Sequence, residues 1–121
     1  MEKKEIKSII KKLYDAVEKS GWSAHKYTDS DWHNLYAIRE VCNNVLPAGW
    51  RLICNNVFGY SHDNTTKDYQ FVVENEVTGE QIIECFVRAY AAGRVDDIWS
   101  AYDCTAMFCV MGNVTKEEWE D

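Results

Sequence analysis

Proline is almost absent from this chain: Pro47 is the one example in 121 residues, and glycine occurs only six times. So few breaks imply long elements joined by short connections. Histidine is equally sparse, and none of His25, His33 and His62 lies in the most apolar stretch of the chain. With no G-x-S-x-G and no Cys-to-His family signature beside them, hydrolysis by an activated nucleophile has no support. The glycines are dispersed, and neither G-x-G-x-x-G nor G-x-x-x-x-G-K-[ST] occurs, which removes the motif basis for nucleotide binding. Long apolar runs are missing from the opening, MEKKEIKSIIKKLYD. Charge throughout that segment leads us to expect neither a signal peptide nor a membrane helix, and a cytoplasmic location.

Cysteine chemistry is limited by spacing. The five cysteines, Cys42, Cys54, Cys85, Cys104 and Cys109, are odd in number, form no C-x-x-C pair and lie in apolar segments. Reduced, buried thiols are therefore expected. Cys104 and Cys109 are an odd number of residues apart on one expected strand and point to opposite faces, so they do not start a zinc site. His25, Asp29 and His33 could gather at a helix start, but no further ligand accompanies them. Neither a metal nor a cofactor is expected. The N-x-T triplets at Asn64 and Asn113 have no secretory context.

What is present is a core and a charge asymmetry. Apolar residues make up 46% of the chain and aromatics 13%, enough for one domain spanning residues 1–121 that buries roughly two thirds of its unfolded surface. Residues 113–121 read as an acidic tail, either one helical turn begun by Thr115 and Glu118 or a frayed end. The net charge of −7 conceals opposite ends: residues 1–27 hold seven lysines against four acids, a balance of +3, while residues 28–121 hold six basic residues against sixteen acids, a balance of −10. An acidic body disfavours nucleic acid and anionic lipid and favours basic protein surfaces.

Periodicity supplies the elements. Ile6, Ile9, Ile10, Leu13, Tyr14 and Val17 recur at helical spacing, and Gly21 suits the left-handed residue that ends such a helix. A second helix is expected from an N-cap at Asp29 or Ser30, through a stripe of Trp32, Leu35, Tyr36, Ile38, Val41, Cys42, Val45 and Leu46, to a stop at Pro47. Trp50 to Phe58 alternates as a first strand, with Trp50, Leu52, Cys54 and Phe58 on one side and Arg51, Ile53, Asn55 and Val57 on the other. Tyr69 to Asn75 alternates as a second, followed by a hairpin turn over Glu76 to Glu80 with Gly79 left-handed.

The most apolar stretch, Ile82 to Met111, reads as two strands joined by a loop over residues 93–100. Ile83, Cys85 and Val87 are expected inward, with Ile82, Glu84, Phe86, Arg88 and Tyr90 outward. Tyr102, Cys104, Ala106, Phe108 and Val110 are inward, with Asp103, Thr105, Met107, Cys109 and Met111 outward. The order is ααββββ, an α+β domain with two N-terminal helices packed on one face of a four-stranded, mainly antiparallel sheet.

Function is less legible. The outward sheet face would carry Phe86, Tyr90, Met107 and Met111 among Glu74, Glu84, Arg88 and Asp103. With Arg94, Asp96, Asp97 and Trp99 at its rim, it forms the candidate binding surface. No catalytic constellation is identifiable. The leading expectation is a small acidic protein-binding module, of the inhibitor, immunity or anti-defence type with a DNA mimic as a subclass, that masks a basic surface on a larger protein without itself binding nucleic acid or membrane. A pocket lined by Trp22, Trp32, Tyr36, Tyr90 and Trp99 would instead suit a small molecule or an enzyme. A homodimer through the outer sheet face is the third expectation.

Overall fold

A computed structural model describes residues 1–21, 37–60, 66–95 and 98–112, with side chains for 1–21, 37–53, 69–88 and 105–112. The described elements run α1 (Lys3–Ser20), α2 (Ala37–Asn43), β1 (Trp50–Tyr60), β2 (Thr66–Asn75), β3 (Gln81–Val95) and β4 (Ile98–Val110). The strands form one antiparallel meander in the order β1-β2-β3-β4, so β1 and β4 are its edges.

Helix α1 follows the sequence pattern. Ile6, Ile9, Leu13 and Val17 are buried, one stripe three or four residues apart. Gly21 adopts φ +70°, and its N–H reaches the Glu18 carbonyl at 3.2 Å, a left-handed termination that glycine makes without steric cost. Helix α2 ends earlier than its apolar stripe implies. It stops at Asn43, four positions before Pro47, and the amides of Val45 and Leu46 both close on the Cys42 carbonyl at 3.1 Å. Asn43 is diverted there: its Oδ1 accepts the Leu52 N–H at 2.8 Å. The stripe is used at Ile38 and Cys42, which are buried, whereas Val45 is exposed. The expected N-cap at Asp29 or Ser30, with Trp32, Leu35 and Tyr36, lies outside the described residues.

The core joins both described helices to the inward side of the sheet. Ile6, Ile9, Leu13 and Val17 of α1 and Ile38 and Cys42 of α2 cluster with Leu52, Tyr69, Phe71, Val73, Ile83, Cys85, Val87 and Phe108. The alternation expected for β2 and β3 is what places these strand residues together. The β2–β3 turn also forms as expected. Gly79 has φ +75°, its N–H bonds the Asn75 carbonyl at 3.0 Å, and Asn75 Oδ1 accepts from the amides of Val77 and Thr78 at 2.9 Å each.

Three local expectations need correction, each where the ladder is irregular. Ile82, assigned outward by alternation, is 3% exposed and belongs to the core. Pairing passes from Val73–Ile83 to Glu74–Gln81, so Ile82 is the extra residue of a bulge, and a bulge breaks the strict two-residue alternation. In β1 a shift between Cys54 and Asn56 brings Val57 opposite Tyr69, changing the parity of the positions after the bulge. The loop expected over residues 93–100 is mostly strand: Arg94 pairs with Trp99 and Val95 with Ile98. Register shifts on both sides of Gly93 accommodate that residue, and the β-branched and aromatic residues beside it continue the pairing.

Candidate functional site

The outward face of the sheet is a mixture of covered apolar groups and anchored carboxylates. Val72 is 0% and Phe86 6% exposed, yet neither belongs to the inward core, so the outer face has a small apolar centre of its own. Phe86 is thus a covered member of the expected platform. In the register Phe86 lies between Gln70 and Met107, and two long side chains flank it. Met107 is itself half-buried. Met111, at 36% exposure, is the open member of the expected platform, and its N–H bonds the Ile82 carbonyl at 3.0 Å.

Glu84 is held from two directions. Its Oε1 accepts from Gln70 Nε2 and its Oε2 from the Gly112 N–H, both at 3.2 Å. Glu74 accepts at Oε1 from Gln81 Nε2, also at 3.2 Å. All these donors are neutral, and among the described residues neither Glu74 nor Glu84 makes an ion pair; the acids that do are Asp15, Glu76 and Glu80. A carboxylate held by amide donors loses rotational freedom. Glu76, by contrast, is taken by Arg51 Nε, and Glu80 by the N-terminal amine at 3.6 Å.

The other candidate residues are placed less fully. Arg88 is half-buried on β3. Tyr90 pairs with Asp103 and Arg94 with Trp99 along the β3–β4 ladder, but the side chains of these four residues lie outside the described set, as do Asp96 and Asp97 altogether. The aromatic pocket expected from Trp22, Trp32, Tyr36, Tyr90 and Trp99 also lies outside it. A different concavity is present: an open depression of about 420 Å³ lined by Ala37, Arg39, Glu40, Asn43, Asn44 and Arg51. Its described lining is polar, carries both signs of charge and includes no aromatic ring.

No protein-family model matches this chain, and neither a curated protein nor a solved structure does so. The chemistry must therefore be read from the residues themselves. Cys42 and Cys85 are free, buried thiols. Burial pushes the Cys42 thiol up to about 12 and raises that of Cys85 well above its usual value, with Cys42 and Cys109 adding to the shift. Both are held as neutral thiols, unsuited to nucleophilic attack near neutrality.

Gln70, Gln81 and Gly112, which anchor the two carboxylates, are the residues that sequence reasoning passed over. A signal for one of them existed. A hairpin turning over residues 76–80 puts Val72 opposite Glu84, leaving Gln70 diagonal to it on the same face, within reach of a long side chain.

Among the described residues no helix is long and apolar enough to cross a membrane.

Proposed function

We propose that this chain is a small acidic protein-binding module whose outer sheet face receives a basic surface of a larger protein. The observation that carries the proposal is the pair of carboxylates at Glu74 and Glu84, positioned by Gln81, Gln70 and the Gly112 N–H and neutralised by no cation among the described residues. Fixed, uncompensated charge meets a cationic partner without the entropy loss of ordering a free side chain. It also steers encounter through the field of a body carrying −10 over residues 28–121. Met107 and Met111 add adaptable apolar contact beside it. Phe86 supports that surface from beneath.

The finer arrangement, with both helices on the side of the sheet opposite this surface, belongs to the same proposal, since it leaves the outer face for a partner. The test is affinity capture with the full chain at low ionic strength, run beside Glu74→Gln/Glu84→Gln. The expected result is one or more basic proteins retained by the native chain, released by moderate salt and retained several-fold less by the double variant. Recovery of no partner at low salt, or equal retention by the double variant, would overturn the proposal.

A further inference from the structure

The solvent side of α1 has a character opposite to that of the rest of the chain. Lys3, Lys4, Lys7, Lys11 and Lys12 are all exposed, and none makes an ion pair among the described residues. The one ion pair within the helix joins Lys19 to Asp15 at 3.0 Å. Lys3, Lys7 and Lys11 follow one another four residues apart, forming a row along the helix, with Lys4 beside it.

Helix electrostatics does not account for this row. Like charges four apart destabilise a helix by about 0.2 to 0.5 kcal/mol per pair, and cations are least favourable in the N-terminal half. The buried stripe Ile6, Ile9, Leu13 and Val17 already fixes which side of α1 meets the core. The lysine row is therefore an unpaired cationic strip on a helix whose packing does not require it. An anionic surface laid along it would relieve the repulsion.

We infer that this strip docks against the acidic body of a second copy of the same chain. Charge complementarity selects that occupant: residues 28–121 carry −10 against the +3 of residues 1–27, so every copy presents both signs at equal concentration. The strip lies on α1 and is of opposite sign to the outer-face carboxylates.

The direction of the salt effect separates this contact from any apolar one. Two chains of net charge −7 repel at long range, so salt strengthens an apolar association by screening that repulsion. A contact between lysine strip and acidic body weakens instead, as the screening length falls from about 30 Å near 0.01 M salt to about 8 Å near 0.15 M. Sedimentation equilibrium of the full chain at those two ionic strengths, from micromolar to millimolar protein, provides the test, alongside Lys3→Gln/Lys7→Gln/Lys11→Gln. The expected result is an apparent mass rising towards that of two copies at low salt and returning to one copy at higher salt. The triple variant should remain one copy in both, with an unchanged far-ultraviolet circular dichroism spectrum. A single copy throughout the low-salt series, association that grows with salt, or undiminished association of a folded triple variant would each overturn it. The salt series on the native chain decides the matter even if the variant does not fold.

Discussion

The Tyr14 hydroxyl occupies both backbone groups of Phe108: it donates to the Phe108 carbonyl at 3.2 Å and accepts the Phe108 N–H at 2.9 Å. The two rings meet edge to face, with centroids 5.1 Å apart. Phe108 lies on β4, an edge of the sheet, so a helix side chain takes the backbone groups that another strand would otherwise pair with. Asn43 does the same at the opposite edge, where it holds the Leu52 N–H of β1. Edge groups occupied in this way oppose strand-to-strand association at Phe108 and Leu52.

Tyr14→Phe keeps the ring contact and removes both hydrogen bonds. The side chain is 42% exposed, so water can replace part of what is lost, and the expected cost is about 1 kcal/mol. Thermal unfolding should show a midpoint lower by roughly 4 °C. Hydrogen exchange at Phe108 should accelerate more than at Cys85, which is paired within the ladder. Unchanged exchange at Phe108 would contradict the edge-capping role.

At the other edge, Asn43→Ala should destabilise the fold by about 1 to 2 kcal/mol, because the Leu52 N–H loses its partner in a partly buried position. Asn43→Asp preserves an oxygen acceptor and should recover most of that loss. Urea unfolding of both variants checks the pair; equal losses would mean that something other than the acceptor matters.

Ile82→Ala distinguishes a bulged from a regular β3. At a solvent-facing position the change would have little effect, but at 3% exposure it removes core packing and should lower stability by about 2 to 5 kcal/mol. Chemical denaturation gives the number directly.

Alkaline pH should unfold the protein through its buried acids. The folded-state values of Cys42 and Cys85 lie above the ordinary thiol value of 9.0 because burial disfavours the thiolate. The unfolded chain therefore loses these protons first. Their contribution is complete below that value and is lost as pH rises towards the folded-state values, by up to about 1.4 kcal/mol per pH unit for each thiol. Tyr14 adds the same sign above its ordinary 10.0, since desolvation raises it more than the Phe108 backbone hydrogen bond lowers it. The urea midpoint should fall steadily through this range, and Cys42→Ala, though less stable at neutral pH, should show a shallower fall. Identical slopes would dissociate the thiol from alkaline unfolding.

Much of the fold was readable residue by residue. Ile6, Ile9, Leu13 and Val17 specify a helix face through their spacing, Tyr69, Phe71 and Val73 a strand face through theirs, and Gly79 a turn through its tolerance of positive φ. Glu74 and Glu84 were legible as outward positions. The exposure of Phe86 was not: alternation tells which face a residue is on but not what lies over that face. Nor did periodicity distinguish Tyr14, apparently one more apolar position of α1, from the group that caps an edge strand.

The sequence by itself determined the elements whose signals are local: a charged amphipathic helix, the alternating strands, the Asn75–Gly79 turn, and the opposition of a basic first helix to an acidic remainder. Only the tertiary structure decided that Ile82 turns into the core, that Arg94 and Trp99 continue a strand pairing, and that neutral amides anchor the outer carboxylates. Helical and strand periods arise from backbone geometry within a few residues. Bulges, edge caps and cross-strand anchors depend on which distant group arrives opposite, and that is settled only when the register closes.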